Sequence, residues 1–202
     1  RKYEDGQPAM GVNVALVGCG QIVTHHVRAL GQYKLDAPAS QAIHVSALCD
    51  PSAERRAVIG QLVRDMNING EILSECDSLD VLLSDAQQSS RIEVIMIAVP
   101  HDMHVSIASR ALDAGKHVVL EKPLAPTIED CHKLIASAAS ASGMLIVAEQ
   151  SPFWQEVALA RQLISEGAIG TLVSAASYYY ESMRDNVTSG LDASGGGGGG
   201  GF

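Results

Sequence analysis

Lys122 stands between a carboxylate and a proline in Glu121-Lys122-Pro123, directly after the apolar run His117 to Leu120. A lysine at the end of a strand can anchor a ribose hydroxyl or a substrate oxygen, and it can pass a proton. Glu121 would orient its ammonium and Pro123 would fix the turn. Spacing alone favours the plainer reading, a surface Lys–Glu pair in a loop, which contributes little to stability. Gly18-Cys19-Gly20-Gln21 is the second candidate. A backbone passing close to a diphosphate needs glycine at the tight turn and at the point of approach, here Gly18 and Gly20. A helix opening near Gln21 points free N–H groups and the positive end of its dipole at such an anion. The third glycine of that fingerprint is Val23, which implies a wider helix–strand crossing or a repacked neighbour. An ordinary strand-to-helix turn with convenient glycines fits the same letters. Asp50 ends the second apolar run, where a carboxylate grips an adenine ribose through its hydroxyls. A turn or helix-cap role before Pro51 can hold beside this one, with ribose binding the favoured reading. It lies farther from Gly18 than the usual spacing of about 20 residues, an excess that Leu35 to Gln41 absorbs as a loop. His101, Asp102 and His104 superficially suggest a metal site, but no further ligand has helpful spacing, so no metal is expected.

These residues need elements to carry them. Val12, Val14, Ala15, Leu16 and Val17 form a nearly continuous apolar run, which fits a strand buried on both faces. A helix follows to about Tyr33, and one of its two histidines, His25 and His26, is expected to face the sheet as a packing residue. Ile43 to Leu48 is the second strand, and Ser52 to Met66 an amphipathic helix with Ala57, Val58, Leu62, Val63 and Met66 on one side. Glu71 to Cys76 reads as a short strand, Leu79 to Leu83 as a short helix, and Glu93 to Val99 as the clearest buried strand. A helix from about Met103 to Ala114 closes at Gly115, and His117 to Leu120 is the next strand. Thr127 caps a further helix, with Asp130 as its capping-box partner; the helix ends at Gly143, and Met144 to Ala148 is one more strand. Regular strand–helix alternation implies right-handed crossovers and an α/β, doubly wound parallel sheet over residues 12–150. The ligand of such a sheet sits beyond the carboxyl ends of the strands, where Gly18–Gln21, Asp50, Pro100–His104 and Glu121–Lys122–Pro123 arrive together.

After Pro152 the pattern changes. Val157 to Glu166 reads as a helix with Ala158, Leu159, Leu163 and Ile164 as buried positions, ended by Gly167 and Gly170. Leu172 to Tyr180 reads as a strand, with Tyr178 and Tyr180 on one face. As an exposed edge it would favour self-association, so a homo-oligomer stays open. Residues 1–11 are polar, and residues 182–202 end in a glycine-rich stretch that cannot repay its ordering entropy, so both are expected to be flexible.

The composition, 47% hydrophobic and 18% charged, suits a sizeable core, and a net charge of −9 argues against a nucleic-acid partner. No apolar run approaches the roughly 18 residues of a membrane span, and no export signal is visible. Cys19, Cys49, Cys76 and Cys131 are scattered, with no C-x-x-C, and read as reduced thiols. Together these point to a cytoplasmic chain.

The stretches resemble the Gfo/Idh/MocA family (glucose–fructose oxidoreductase, inositol dehydrogenase, rhizopine catabolism). The resemblance rests on Gly18-Cys19-Gly20-Gln21-Ile22 with His26, on Ala47-Leu48-Cys49-Asp50-Pro51, and on Ile97-Ala98-Val99-Pro100 through His104. It continues in Ala114-Gly115-Lys116-His117-Val118, then in Glu121-Lys122-Pro123-Leu124-Ala125, the most specific piece, and in Glu166-Gly167-Ala168-Ile169-Gly170. It implies a Rossmann-type nucleotide domain and an oxidoreductase acting with NAD, or with NADP, on CH–OH groups of a sugar, cyclitol or related polyol. It implies Gly18, Gly20, Gln21, Ile22, Asp50, Ala98, Val99, Pro100, His104, Glu121 and Lys122 as cofactor contacts, and Lys122 as the catalytic residue assisting proton transfer. Asp50 favours NAD, since a carboxylate repels a 2′-phosphate, while Arg55 and Arg56 complicate the preference. The family normally continues into a large antiparallel substrate sheet with a downstream Asp-x-x-x-His; no histidine follows His132, so residues 151–181 read as the start of a truncated α+β substrate domain. The competing expectation is a non-catalytic dinucleotide-binding or partner-binding protein on the same fold.

Overall fold

A computed structural model describes residues 11–36, 38, 41–176 and 178. The chain divides after Gln150 into two units. The first alternates strand and helix: β1 (Val12–Val17), α1 (Gln21–Asp36), β2 (Ile43–Cys49), α2 (Ala53–Asp65), β3 (Asn69–Cys76), α3 (Leu79–Ser84), α4 (Ala86–Arg91), β4 (Val94–Ile97), α5 (His104–Asp113), β5 (His117–Glu121), α6 (Ile128–Ser140) and β6 (Leu145–Ala148). The six strands form one sheet in the order β3-β2-β1-β4-β5-β6, parallel at every pairing. This is the doubly wound arrangement expected from the alternation.

The apolar runs are continuous because the sheet is covered on both sides. In β1, Ala15 and Val17 point into one buried cluster with Ile95, Ile97, Ile107 and Leu120. Val14 and Leu16 point into another with Val23, Val27, Leu48, Ile59 and Val63. Val23 is thus a core residue, 1% exposed, which is how the chain accommodates the missing third glycine. Close helix packing is supplied elsewhere: a Cβ on Gly31 of α1 would lie 2.7 Å from the Met66 sulfur.

Several boundaries differ from expectation. Helix α1 runs three residues past Tyr33 and takes up part of the segment read as a loop. Helix α4 has no counterpart in the sequence reading, because none of its residues is buried and no apolar period announces it. Its only signal is Asp85, whose carboxylate accepts from the Gln87 and Gln88 N–H groups at 3.0 Å. Strand β3 starts two residues before Glu71, and β4 is shorter than Glu93–Val99. Helix α2 turns Val63 and Leu62 inward, with Met66 beyond it, as expected, but Ile59 takes the place of Ala57 and Val58, the latter 61% exposed. Thr127 caps α6 by accepting from the Asp130 N–H, but its hydroxyl donates back to the Asp130 carboxylate, so the reciprocal bond of a capping box is not made.

The second unit holds α7 (Gln155–Ser165), closed by Gly167 and Gly170 at positive φ. No residue of α7 is buried; Ala158, Leu159, Leu163 and Ile164 are all exposed, contrary to the expected apolar face. Residues 172–176 and 178 form no strand, and 177, 179 and 180 lie outside the described residues. A strand exists only through a hydrogen-bonded partner, and alternation alone does not supply one. The expected flexible termini also lie largely outside the described residues, and no described helix is long and apolar enough to cross a membrane.

Candidate nucleotide site

Strands β1 and β4 are neighbours in the sheet although two strands separate them in the chain. The helix after β1 adds Val23 and Val27 to one core cluster, and the helix after β4 adds Ile107 and Leu112 to the other. The two connections leave on opposite faces, which opens a crevice beyond the strand ends.

Gly18 turns the chain into that crevice with φ +90°, and a Cβ there would lie 2.2 Å from the Ala98 carbonyl oxygen. Its N–H donates to the Cys49 carbonyl at 2.8 Å. Gly18 is therefore fixed by the protein's own packing. Gly20 differs: no protein atom lies within 4 Å of its would-be Cβ, and its φ is not in the left-handed region. Neither backbone strain nor a protein neighbour explains a glycine here. The N–H groups of Gly20, Gln21 and Ile22 have no acceptor among the described residues, as befits the first turn of α1. Ile22 is exposed at 38%, and Gln21 is exposed beside it. An open cradle rimmed by free N–H groups fits a diphosphate.

Asp50 is buried under this loop. One carboxylate oxygen accepts from the Cys19 N–H at 2.8 Å, and the other from the Ser52 N–H at 2.8 Å. The turn role expected for Asp50 is thus present, together with a bond to the glycine loop that the sequence did not reveal. Arg56, one of the two arginines thought to complicate cofactor choice, is committed to protein partners. It donates to the Asp50 carbonyl and to Asp77, and lies 3.6 Å from Glu75. Arg55 is exposed. Burial, and next the Asp50 charge, push the Cys19 thiol up to about 12, so it stays protonated and inert.

Beyond β4, Ala98 and Val99 are partly buried and Pro100 is exposed at the crevice. His104 is fully buried. Its ring nitrogens lie 2.9 Å from the Pro123 carbonyl and 3.1 Å from the Val99 carbonyl. The ring has no face open to a ligand, so direct cofactor contact, implied by the resemblance, is replaced by a clasp between the ends of β4 and β5. Glu121 is also buried. Its carboxylate accepts from the Lys122 N–H at 3.0 Å and lies 2.6 Å from His26 Nε2. Glu121, expected to orient the Lys122 ammonium, orients that residue's backbone instead and joins it to α1. Lys122 is exposed, with a side chain unpaired among the described residues and a cis peptide to Pro123. It is free of the ion pair that the plainer reading required. The histidine expected to face the sheet is His26; His25 is exposed. No cluster of metal-ligating side chains occurs among the described residues.

A family model described as "Oxidoreductase family, NAD-binding Rossmann fold" matches residues 12–149. The chain belongs to the Gfo/Idh/MocA oxidoreductase family. Among Gfo/Idh/MocA relatives, a 1-carboxy-3-chloro-3,4-dihydroxycyclo hexa-1,5-diene dehydrogenase of Comamonas testosteroni is 39% identical over 103 residues, covering 51% of this chain and 23% of that protein. A levoglucosan dehydrogenase solved in complex with NADH superposes with a TM-score of 0.66 at 27% identity, covering 80% of this chain and 41% of that one. The WlbA dehydrogenase of Bordetella pertussis, solved with NADH and UDP-GlcNAcA, has the same TM-score of 0.66 at 24% identity over 80% of this chain and 44% of that one, and shows the shared fold. The chain spans less than half the length of these relatives.

Proposed function

We propose that residues 12–150 are the dinucleotide-binding domain of an NAD(P)-dependent oxidoreductase, moving a hydride between a nicotinamide and a sugar, cyclitol or related polyol. The observation that carries this reading is Gly20, a glycine whose open side faces no protein atom, at the free N–H groups of α1. In this reading the N–H groups of Gly20, Gln21 and Ile22 hold the diphosphate. Asp50 fixes the loop from below and sets a negative charge against a 2′-phosphate, favouring NAD. Ala98, Val99 and Pro100 line the path toward the nicotinamide. The cofactor, once bound, supplies or takes the hydride. Lys122 contacts the nicotinamide ribose and the substrate oxygen, and gives or receives the proton as C–OH and C=O interconvert. Glu121 and His104 are positioning residues, setting the Lys122 backbone and the turn after it. Residues 151–181 begin the substrate side. The levoglucosan dehydrogenase complex with NADH supports a sugar-like substrate class.

The test is a titration of the chain with NADH and NADPH, read by thermal unfolding. At about 100 times the dissociation constant a ligand adds roughly 2.7 kcal/mol, a midpoint rise of roughly 5–10 °C for a chain of this size. NADH is expected to raise the midpoint and NADPH to raise it less. A cooperative transition that neither nucleotide moves would overturn the reading.

Gly20→Ala separates ligand from fold. An added methyl meets no protein atom, so stability should change by less than about 0.5 kcal/mol. The methyl would occupy the diphosphate's space, and NADH affinity should fall at least about tenfold, or roughly 1.4 kcal/mol. Fluorescence titration of NADH checks this, and unchanged affinity would remove the diphosphate from this loop.

A further inference from the structure

We propose that Cys49 and Cys76 are a modification site, closed by a hydroperoxide into a disulfide that acts on the glycine loop above it. The two residues are register partners on the adjacent parallel strands β2 and β3. Their sulfurs are 2.8 Å apart as free thiols. Neighbouring strands place α-carbons about 4.8 Å apart, inside the 4.4–6.8 Å range that a disulfide spans. The strands already hold the pair within reach, so closing the bond asks only for a small local adjustment.

The surroundings divide the labour. The Cys49 thiol hydrogen-bonds to Cys76, and with the Ser78 N–H and the Arg56 guanidinium it holds Cys76 below the usual thiol range, against burial. The same bond, together with burial, pushes Cys49 up. Cys76, the less buried of the two thiols, is the nucleophile and Cys49 the resolving thiol. At the strand end Cys76 is 8% exposed against 1% for Cys49, so a small oxidant meets Cys76 first. Its thiolate sulfur attacks one peroxide oxygen, the O–O bond breaks, and hydroxide leaves and takes up the proton that Cys76 released, giving a sulfenic acid and water. The Cys49 sulfur then attacks the Cys76 sulfur, the S–O bond breaks, and the thiol proton leaves with that oxygen as a second water. Two thiols are oxidised and one hydrogen peroxide is reduced.

The pair is wired to the loop through the backbone. The Cys49 carbonyl accepts from the Gly18 N–H at 2.8 Å, and the Cys76 carbonyl accepts from the Asp50 N–H at 3.1 Å. Asp50 in turn holds the Cys19 N–H. Drawing the sulfurs to the bonded distance of about 2.05 Å shifts both carbonyl anchors.

The experiment treats the wild-type chain with equimolar hydrogen peroxide, alkylates the remaining thiols after unfolding and maps the peptides by mass. The expected result is a peptide pair joined through Cys49 and Cys76, lighter by two hydrogens, with Cys19 and Cys131 alkylated and the link reversed by dithiothreitol. Cys76→Ser should abolish the link. A link through Cys19 or Cys131, or Cys76 oxidised to sulfinic acid without a link, would overturn the assignment. Wild-type mapping decides the matter even if a variant does not fold. NADH affinity, measured before and after closure, is expected to weaken several-fold. Equal affinity in the linked chain overturns the action on the loop. Failure to bind NADH before oxidation overturns the nucleotide reading and leaves the mapped link standing.

Discussion

Gly18→Ala is expected to be the most damaging single methyl in the chain. Two independent penalties meet at this position. The backbone sits at φ +90°, outside the regions that a side chain tolerates, which costs about 1–2 kcal/mol. The new Cβ would also lie 2.2 Å from the Ala98 carbonyl oxygen, a backbone atom between β4 and Pro100 that cannot rotate away. Relieving that overlap means separating the ends of β1 and β4, and overpacking of this kind typically costs 1–3 kcal/mol more. A loss of about 3 kcal/mol or more should lower the unfolding midpoint by roughly 6–12 °C. The shift should be read by circular dichroism without nucleotide, so that ligand binding plays no part. The comparison that gives it meaning is Gly20→Ala, two residues on, where stability should hold and NADH affinity should fall. If both alanines destabilise equally, the loop is an ordinary strand-to-helix turn and its second glycine has a structural duty. If Gly18→Ala leaves the midpoint unchanged, the close approach of the loop to β4 is wrong.

The contrast between the two glycines marks how far the letters could be read. Gly18-Cys19-Gly20 after a buried apolar run was enough to place a turn at the sheet's carboxyl edge, because both the turn and the burial are local consequences of sequence. Which glycine serves the fold and which faces open space depends on Ala98, far along the chain. The same limit hid the partners of the charged groups. Glu121 and Lys122 are neighbours, so proximity suggested an ion pair; the carboxylate found His26 instead, on the helix after the glycine loop. Asp50 was correctly placed at a strand end, yet its bond to the Cys19 N–H spans two elements that only the sheet order brings together. The resemblance implies His104 as a cofactor contact, but helix α5 turns it inward to two carbonyls. Where periodicity is the sole argument it places the helix α7 but not its burial, and at residues 172–176 it gives no strand, because apolar spacing states a preference for burial without supplying the surface that buries it.

Asp50→Ala carries the second large expected effect, and it separates two duties of one carboxylate. In the folded chain its oxygens accept from the Cys19 and Ser52 N–H groups, and the side chain is only 6% exposed. Alanine leaves two backbone donors with no acceptor in a place poor in water, at about 1–3 kcal/mol each. The expected loss is about 2–6 kcal/mol, or roughly 4–24 °C in the midpoint. Asn should lose less, because its amide oxygen can keep one donor while its NH₂ group faces the other. A second readout concerns charge alone. The Asp50 charge is, after burial, the next cause holding the Cys19 thiol up near 12, so Asp50→Asn should make Cys19 alkylate faster while burial keeps it slow in absolute terms. A third concerns the nucleotide. If Asp50 disfavours a 2′-phosphate, Asp50→Asn should narrow the difference between NADH and NADPH affinity, whatever it does to stability. A destabilised variant with an unchanged NADH-to-NADPH ratio would confine Asp50 to holding the loop. A variant with that ratio collapsed and stability near wild type would make the carboxylate a specificity residue first, and its two N–H bonds secondary.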